Sequence, residues 1–395
     1  MELTKSKSGE AALRDLARLK KSSSEENFRP FDIKPVVSPV QLQEGEGTFR
    51  PFGGRSERVN VDFLGSGTNS KAYSIDQEPR LFIPGIQKDP VVPMEPKVIL
   101  IPKESQQVTS EIIRGVRVNE LAERAGVSDK IIKTLGTAEL QIEGSQRKGL
   151  VIERANGIPL EKLGKFEPSE AVAITRQYAE FESKASKQGF SYADAHPGNL
   201  FIDKEKDRIN LKLIDIGGVQ FHEDAKKFFG HVDHMAPVVF GAGSYLPATA
   251  ANALSHGFNN TASSDEGKAS FKLMEEQKVL SHERSGNILF RALTGKDPGL
   301  DSLGDSQLRH LVTPQEKVAV IQNERFHRHD FKELNKALDA SNLDKKTTSE
   351  ITEFIRSAWS KNPADKLTPE ATVEKLNKIN GLIKESSISN IQWHD

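Results

Sequence analysis

Tyr192-Ala193-Asp194-Ala195-His196-Pro197-Gly198-Asn199 runs directly into the apolar triplet Leu200-Phe201-Ile202, and Asp215, sixteen residues after Asn199, stands in Leu213-Ile214-Asp215-Ile216-Gly217. Each stretch is a tight turn bordered by a β-like run. Asp194 is placed to orient an attacking hydroxyl and take its proton. Asn199 and Asp215 offer hard oxygens of the kind that hold a phosphate-bridging magnesium ion. Pro197 and Gly198 fix the loop between them. Either aspartate alone reads as a turn residue; turn chemistry alone does not account for both, with Asn199 at this offset and β runs on either side.

Working upstream, Leu64-Gly65-Ser66-Gly67-Thr68-Asn69-Ser70-Lys71-Ala72-Tyr73 lies between two β-like runs, a strand–turn–strand. That context disfavours the dinucleotide strand–turn–helix. Glycines at Gly65 and Gly67 let backbone N–H groups approach phosphates, and Ser70 stands where a third glycine would complete the pattern. By itself the signal is no stronger than an ordinary hairpin. Val98-Ile99-Leu100-Ile101-Pro102-Lys103 reads as a buried strand ending in a lysine, with a helix expected over residues 110–125. Lys103 is preferred to Lys97 as a phosphate-holding lysine, because Glu95 and Pro96 precede Lys97. Glu120, seventeen residues after Lys103, is preferred to Glu111 as its carboxylate partner, since Glu111 sits in the expected first turn, where an acid serves the helix dipole. Both alternatives stay open. Gly149-Leu150-Val151-Ile152-Glu153-Arg154-Ala155 is a strand running into a turn, where backbone groups of Glu153 and Ala155 can meet an adenine edge.

These parts, in this order, resemble the protein-kinase superfamily over roughly residues 58–385. The resemblance implies Gly65, Gly67 and Ser70 in a phosphate loop, Lys103 paired with Glu120, a hinge at Glu153–Ala155, Asp194 as catalytic base, and Asn199 and Asp215 as ligands of Mg2+ (or Mn2+) carrying ATP. It implies an α+β, two-lobed fold with a small β-rich first lobe and a larger helical second one. The helical half adds support. Gly241–Pro247 looks like the end of an activation segment, Ser285–Pro298 like a long central helix and its exit, and Phe354–Pro369 like the late helix pair of protein kinases. Departures mark a divergent member: Tyr-Ala-Asp opens the catalytic loop where His-Arg-Asp is usual, His196 replaces a lysine, the metal turn is Asp-Ile-Gly, and Lys366 replaces an arginine. The Asp-Ala-His-Pro-Gly-Asn stretch also looks like the loop of atypical and small-molecule kinases. Ala193 cannot pair with an activation-loop phosphate, so activity is expected without such phosphorylation. The expected acceptor is a serine or threonine hydroxyl, because the Ala/Arg-rich loop of tyrosine kinases is absent. The rivals are a small-molecule phosphotransferase, a pseudokinase interaction module and a nucleotidyl transferase.

Composition bounds the rest. With 55 Lys+Arg against 56 Asp+Glu, the net charge of -1 argues against a nucleic-acid partner. The absence of cysteine excludes disulfides and thiolate chemistry. No apolar run reaches the roughly 18 residues of a membrane span, and the polar start lacks a secretory signal core. Residues 1–57, rich in Ser, Lys and Glu, are expected to be disordered apart from a short helix around Leu13, Leu16 and Leu19, and residues 386–395 to form a tail. Phe-Arg-Pro-Phe occurs at Phe28–Phe31 and again at Phe49–Phe52, either as a docking peptide or as packing onto the folded domain. A Ser-rich start without cysteine looks like effectors that bacterial pathogens inject into host cells by a non-classical route. A host-protein substrate and a secretion chaperone at the N-terminus would follow; a plain cytoplasmic kinase is the alternative. His222, His231 and His234 read as a solvated or packed cluster, and residues 221–280 as a long activation segment with a mobile loop around Asn259–Ser264.

Overall fold

The computed structural model of the chain describes residues 46–66, 70–76, 97–102, 107–205, 208–221, 278–298, 328–360 and 363–391. Expectations for the N-terminal helix, the first Phe-Arg-Pro-Phe copy, Gly67, Lys103, the histidine cluster, the 221–280 loop beyond Phe221 and the Gly241–Pro247 segment lie outside these residues. Strand and helix are mixed, and the described residues fall into two compact units. One holds those up to 123 together with 132–154; the other holds 124–131 and those from 155 onward. No helix among the described residues is long and apolar enough to cross a membrane.

The first unit is a closed antiparallel barrel in the order β1-β2-β3-β4-β6-β5, built from β1 (Glu46–Pro51), β2 (Glu57–Ser66), β3 (Ser70–Asp76), β4 (Lys97–Pro102), β5 (Thr134–Ile142) and β6 (Ser145–Glu153). Alternation along the strands sends Phe49, Val59, Val61, Tyr73, Ile75, Ile99, Ile101, Ala138, Leu140 and Val151 into one interior cluster. Closure depends on β1, which pairs with β2 on one side and β5 on the other. The barrel thus includes chain from Glu46 on, ahead of the expected start at 58. The second Phe-Arg-Pro-Phe copy runs out of this strand, and Phe49 is a barrel-core residue, so this copy packs onto the domain. The alternation that would have signalled β1 is short and interrupted by Pro51, which is why composition hid it. Helix α1 (Gln107–Ala125) follows β4 and is fixed to β5 by a two-way clamp: Asn119 Nδ2 donates to the Thr134 carbonyl (2.6 Å) and the Thr134 N–H to Asn119 Oδ1 (3.1 Å).

The second unit is built on helices α2 (Pro168–Lys187), α3 (Lys278–Thr294), α4 (Arg328–Asp339), α5 (Lys345–Trp359) and α6 (Pro369–Ile391). Pro168 stands at the start of α2, where its missing N–H costs nothing. Ala171, Val172 and Ala179 of α2 join Leu289, Phe290 and Leu293 of α3, Phe354, Ile355 and Trp359 of α5, and Leu376 and Ile379 of α6 in one apolar core. Helix α6 runs to Ile391, so the expected tail from 386 is in part the end of a helix. Short strands precede and follow α2: β7 (Ile158–Pro159), ahead of it, forms one antiparallel sheet with β9 (Leu200–Glu205) and β10 (Arg208–Leu213), and β8 (Phe190–Tyr192) pairs with β11 (Val219–Phe221) in another.

Candidate active site

Asp194, Asn199 and Asp215 are brought together in the second unit. β8 delivers Asp194, and a single 3₁₀ turn over Pro197–Asn199 carries the chain into β9. The β9–β10 hairpin returns it to Asp215, which opens another such turn over Ile216–Gly218 before β11. Because β11 pairs back onto β8, the Asp215 turn is tied to the Asp194 strand, and the Ala193 N–H donates to the Gly218 carbonyl at 2.7 Å. Gly218 is required by proximity: a Cβ there would lie 2.8 Å from the Cβ of Asp194.

Hydrogen bonds set the donor and acceptor roles. Asn199 Nδ2 donates both to the Asp194 carbonyl and to Asp194 Oδ2, each at 3.1 Å. That turns the Asn199 carbonyl oxygen away from Asp194. Asp215 takes the left-handed conformation, with φ 64°, rare for a non-glycine residue, and its Oδ1 accepts the Gly217 N–H at 2.9 Å. The Asp215 side chain is exposed and keeps its second oxygen. An amide oxygen and a carboxylate oxygen on adjoining turns are the hard donors that suit magnesium. Among the described residues no group of three or more His, Asp or Glu makes a protein-only metal cage. An ion held here would complete its shell from phosphate and water, as magnesium commonly does. His196 Nδ1 accepts the Gly198 N–H at 3.1 Å, which leaves the ring proton on Nε2, 3.9 Å from Asp194 Oδ2.

The strand behind this loop is anchored through Tyr192, whose side chain is fully buried. Its hydroxyl donates to the Ile214 carbonyl, next to Asp215. Burial pushes the Tyr192 phenol well above its ordinary range, and the Asp215 and Asp194 charges add to this, so it remains a donor. Glu182, one turn after Tyr178 on α2, accepts the Tyr192 N–H at 2.7 Å. Sequence reasoning passed over Glu182, Tyr178 and Arg284. The available signal was an acid on the apolar stripe of α2, among Ala171, Ala179, Phe181 and Ala185. Arg291, also unremarked, donates to the carbonyls of Leu160, Glu161 and Leu163 and fixes the segment after β7.

The residues expected on the nucleotide side lie mainly in the barrel. Gly65 borders a register shift in the β2–β3 hairpin, and a Cβ there would meet nothing within 4 Å. Ser70 opens β3 opposite Pro102. The Glu153 N–H donates to the Lys133 carbonyl at 2.9 Å and is not open to a base. Ala155, in the second unit, follows the point where the chain leaves the first. Helix α1 begins at Gln107, earlier than expected, and so places Glu111 in its second turn and removes the dipole argument against it. Glu111 falls on the same side as the buried Gly115, Val118 and Ala122, and Glu120, two and a half turns further on, on the opposite side. Lys97 shares the barrel-facing alternation with Ile99 and Ile101, and its ammonium sits 5.2 Å over the Phe49 ring.

A family model, the ABC1 atypical kinase-like domain, matches residues 139–231. The match takes in the end of the barrel, the Glu153–Ala155 connection, the Asp194 loop and the Asp215 turn.

Proposed function

We propose, from the premise that this chain is a divergent member of the protein-kinase-like superfamily, that it transfers the γ-phosphoryl group of magnesium-bound ATP to a hydroxyl. The observation that carries this reading is the Asp194–Asn199–Asp215 constellation on paired strands. Asp194 would align the acceptor hydroxyl and take its proton, and Asn199 and Asp215 would hold the ion that neutralises charge on the β- and γ-phosphates. Phosphoryl transfer asks the protein chiefly for positioning and charge stabilisation, and two carboxylates fixed by backbone pairing supply both. Gly65 and Ser70, with a lysine at Lys103 or Lys97 and a carboxylate at Glu120 or Glu111, would complete the nucleotide side in a two-lobed arrangement.

The acceptor divides the reading in two. A protein acceptor rests on the kinase-like late helices Phe354–Pro369, and serine or threonine within it on the absence of the Ala/Arg-rich loop of tyrosine kinases. A small-molecule acceptor is favoured by His196 and by the atypical kinase-like match. A host-protein target and delivery as an injected effector rest on composition alone. The test is γ-labelled ATP offered to the purified chain with a panel of protein and metabolite acceptors, beside Asp194→Ala and Asp215→Ala. Label that reaches an acceptor and is lost in both variants sustains the proposal, and the labelled acceptor names the branch. Label from α-labelled ATP instead would replace phosphoryl with nucleotidyl transfer.

A further inference from the structure

The polar groups behind the catalytic strand are more elaborate than packing needs. Among the described residues β8 pairs with β11, with Tyr192 opposite Val219. The backbone of Tyr192 is satisfied from α2: Glu182 Oε1 accepts its N–H at 2.7 Å, and the Tyr178 hydroxyl donates to its carbonyl at 3.2 Å. These two side chains are four apart on one helix, so they sit one above the other and hold the Tyr192 backbone as a neighbouring strand would. Glu182 is 1% exposed and Tyr178 fully buried, and Arg284 of α3, 3% exposed, lies against the same pair. The Arg284 guanidinium interacts with the Tyr178 hydroxyl and lends charge to Glu182. Burying a carboxylate and a guanidinium is expensive, and an apolar pair would fill the space at lower cost. What an apolar pair would lack is a grip on the main chain two residues before Asp194.

We propose that Glu182, with Tyr178 and Arg284 behind it, is a positioning residue: it holds the Tyr192 amide, and through it fixes both Asp194 and the Asp215 turn. The chain of contacts is continuous. Glu182 fixes the Tyr192 backbone, the Tyr192 hydroxyl fixes the Ile214 carbonyl beside Asp215, and the next residue, Ala193, is bonded to Gly218. None of the three reaches the reacting atoms. Their role is to set the separation between base and metal ligand. The inference rests on the phosphoryl-transfer reading for its kinetic arm only.

The experiment compares Glu182→Ala, Glu182→Gln and Tyr178→Phe in the full chain, by turnover of γ-labelled ATP and by hydrogen–deuterium exchange of residues 190–199. Glutamine keeps an oxygen facing the Tyr192 N–H; alanine does not. The expected result is a loss of at least tenfold in kcat for Glu182→Ala, with KM for ATP within twofold of the parent, and recovery to within a few-fold in Glu182→Gln. Exchange of residues 190–199 should rise in Glu182→Ala and, less, in Tyr178→Phe, while α5 is unchanged. Equal losses in the alanine and glutamine variants, or unaltered exchange at residues 190–199, would overturn the proposal. If Glu182→Ala does not fold, Tyr178→Phe against the parent decides by exchange. If the parent itself transfers no phosphoryl group, the functional reading fails, and the exchange comparison still decides the positioning role.

Discussion

In the barrel, the residues assigned to the nucleotide sit at strand ends and turns: Gly65 faces open space, Ser70 begins a strand, and Glu153 ends one. In the helical unit, Asp194 and Asn199 sit on a loop whose backbone is tied to buried side chains. The cores differ in the same sense. The barrel cluster is wholly apolar, apart from the Tyr73 hydroxyl. Helix α3 buries Ser281, His282, Glu283, Arg284, Ser285 and Asn287 in succession. Glu283 pairs with Lys366 at 3.3 Å with both side chains out of solvent, and Asn287 accepts from Trp359 Nε1 at 2.8 Å. An apolar barrel needs only shape to fold. A buried polar helix gains little net stability from its charges, so its retained groups are better explained by what they hold in place. The comparison therefore assigns precise positioning, and with it sensitivity to charge, to the helical unit.

The largest effect should fall where that assignment is sharpest. Asp194→Ala and Asp215→Ala should each lower phosphoryl transfer on the order of 10³-fold. Asp194→Ala should lower the melting temperature little, while Asp215→Ala should cost about 1 kcal/mol, because alanine lacks the bond to the Gly217 N–H that eases the left-handed backbone there. A variant that keeps a tenth or more of the parental rate would move the chemistry off this loop.

Next in size is pH dependence. Burial pushes Glu182 up to about 7, against the opposing pull of the Arg284 charge, the Tyr192 N–H and Tyr178. A carboxyl raised on folding binds its proton more tightly in the native state, so its contribution is complete below about pH 4.5 and is lost as pH rises through about 7. The cost above that is on the order of 3 kcal/mol. His282 has the opposite sign. Burial, with the Lys366 and Lys375 charges, lowers it to about 3, so its contribution is present above pH 6.5 and is lost as pH falls toward 3. Between about pH 4.5 and 6.5 the two slopes oppose each other. Glu182→Gln should therefore raise stability at pH 8 relative to the parent, and should uncover the His282 slope below pH 6.5. Urea midpoints at pH 5, 6.5 and 8 measure both. Parallel curves for parent and variant would break the claim that charge sensitivity resides here.

These expectations also show what the sequence could and could not disclose. The Asp194–Asn199–Asp215 spacing was readable because turn residues between short β runs leave few conformations. The helices after Pro168 were readable from their apolar period. Glu182 was not, since its meaning depends on β8 arriving beside α2, a contact between segments that no local pattern encodes. The first turn of α1 was misplaced because a helix boundary shifted by one turn changes which residues belong to it. β1 was missed because a six-residue strand inside a polar stretch acquires its value only when the barrel closes on it.

Smaller, and a test of the barrel side of the comparison, is close backbone approach. A Cβ on Gly136 would press on the Arg50 carbonyl and lie 2.8 Å from Pro51 Cα, both main-chain atoms of β1. A Cβ on Gly286 would lie 2.5 Å from the Cβ of Ala358, a side-chain atom on α5. Overpacking typically costs about 1–3 kcal/mol. Gly136→Ala should fall in the upper half of that range and raise exchange in β1, because a strand in a closed ladder cannot yield without losing pairs. Gly286→Ala should fall in the lower half, because helices can slide by a few tenths of an ångström. The reverse order in urea titration would show that the barrel tolerates an opening between β1 and β5.

The smallest effect separates helix stabilisation from positioning. Asp344 caps α5: its Oδ1 accepts the Thr347 N–H at 2.8 Å, its Oδ2 accepts the Thr347 hydroxyl at 2.7 Å, and the Ser386 hydroxyl of α6 also donates to it. The bond from Ser386, followed by those from Thr347, holds its carboxyl down at about 2. This contribution is present above pH 3.8 and is lost as pH falls toward 2. Asp344→Ala should cost about 1 kcal/mol, the usual value of an N-cap. It should leave kcat untouched, because Asp344 caps α5 through Thr347 and Ser386, at the end of that helix opposite Trp359. If thermal melting falls as expected while kcat falls with it, then the helical framework as a whole sets the catalytic strand, and the special standing given to Glu182 would have to be shared with every helix that packs behind it.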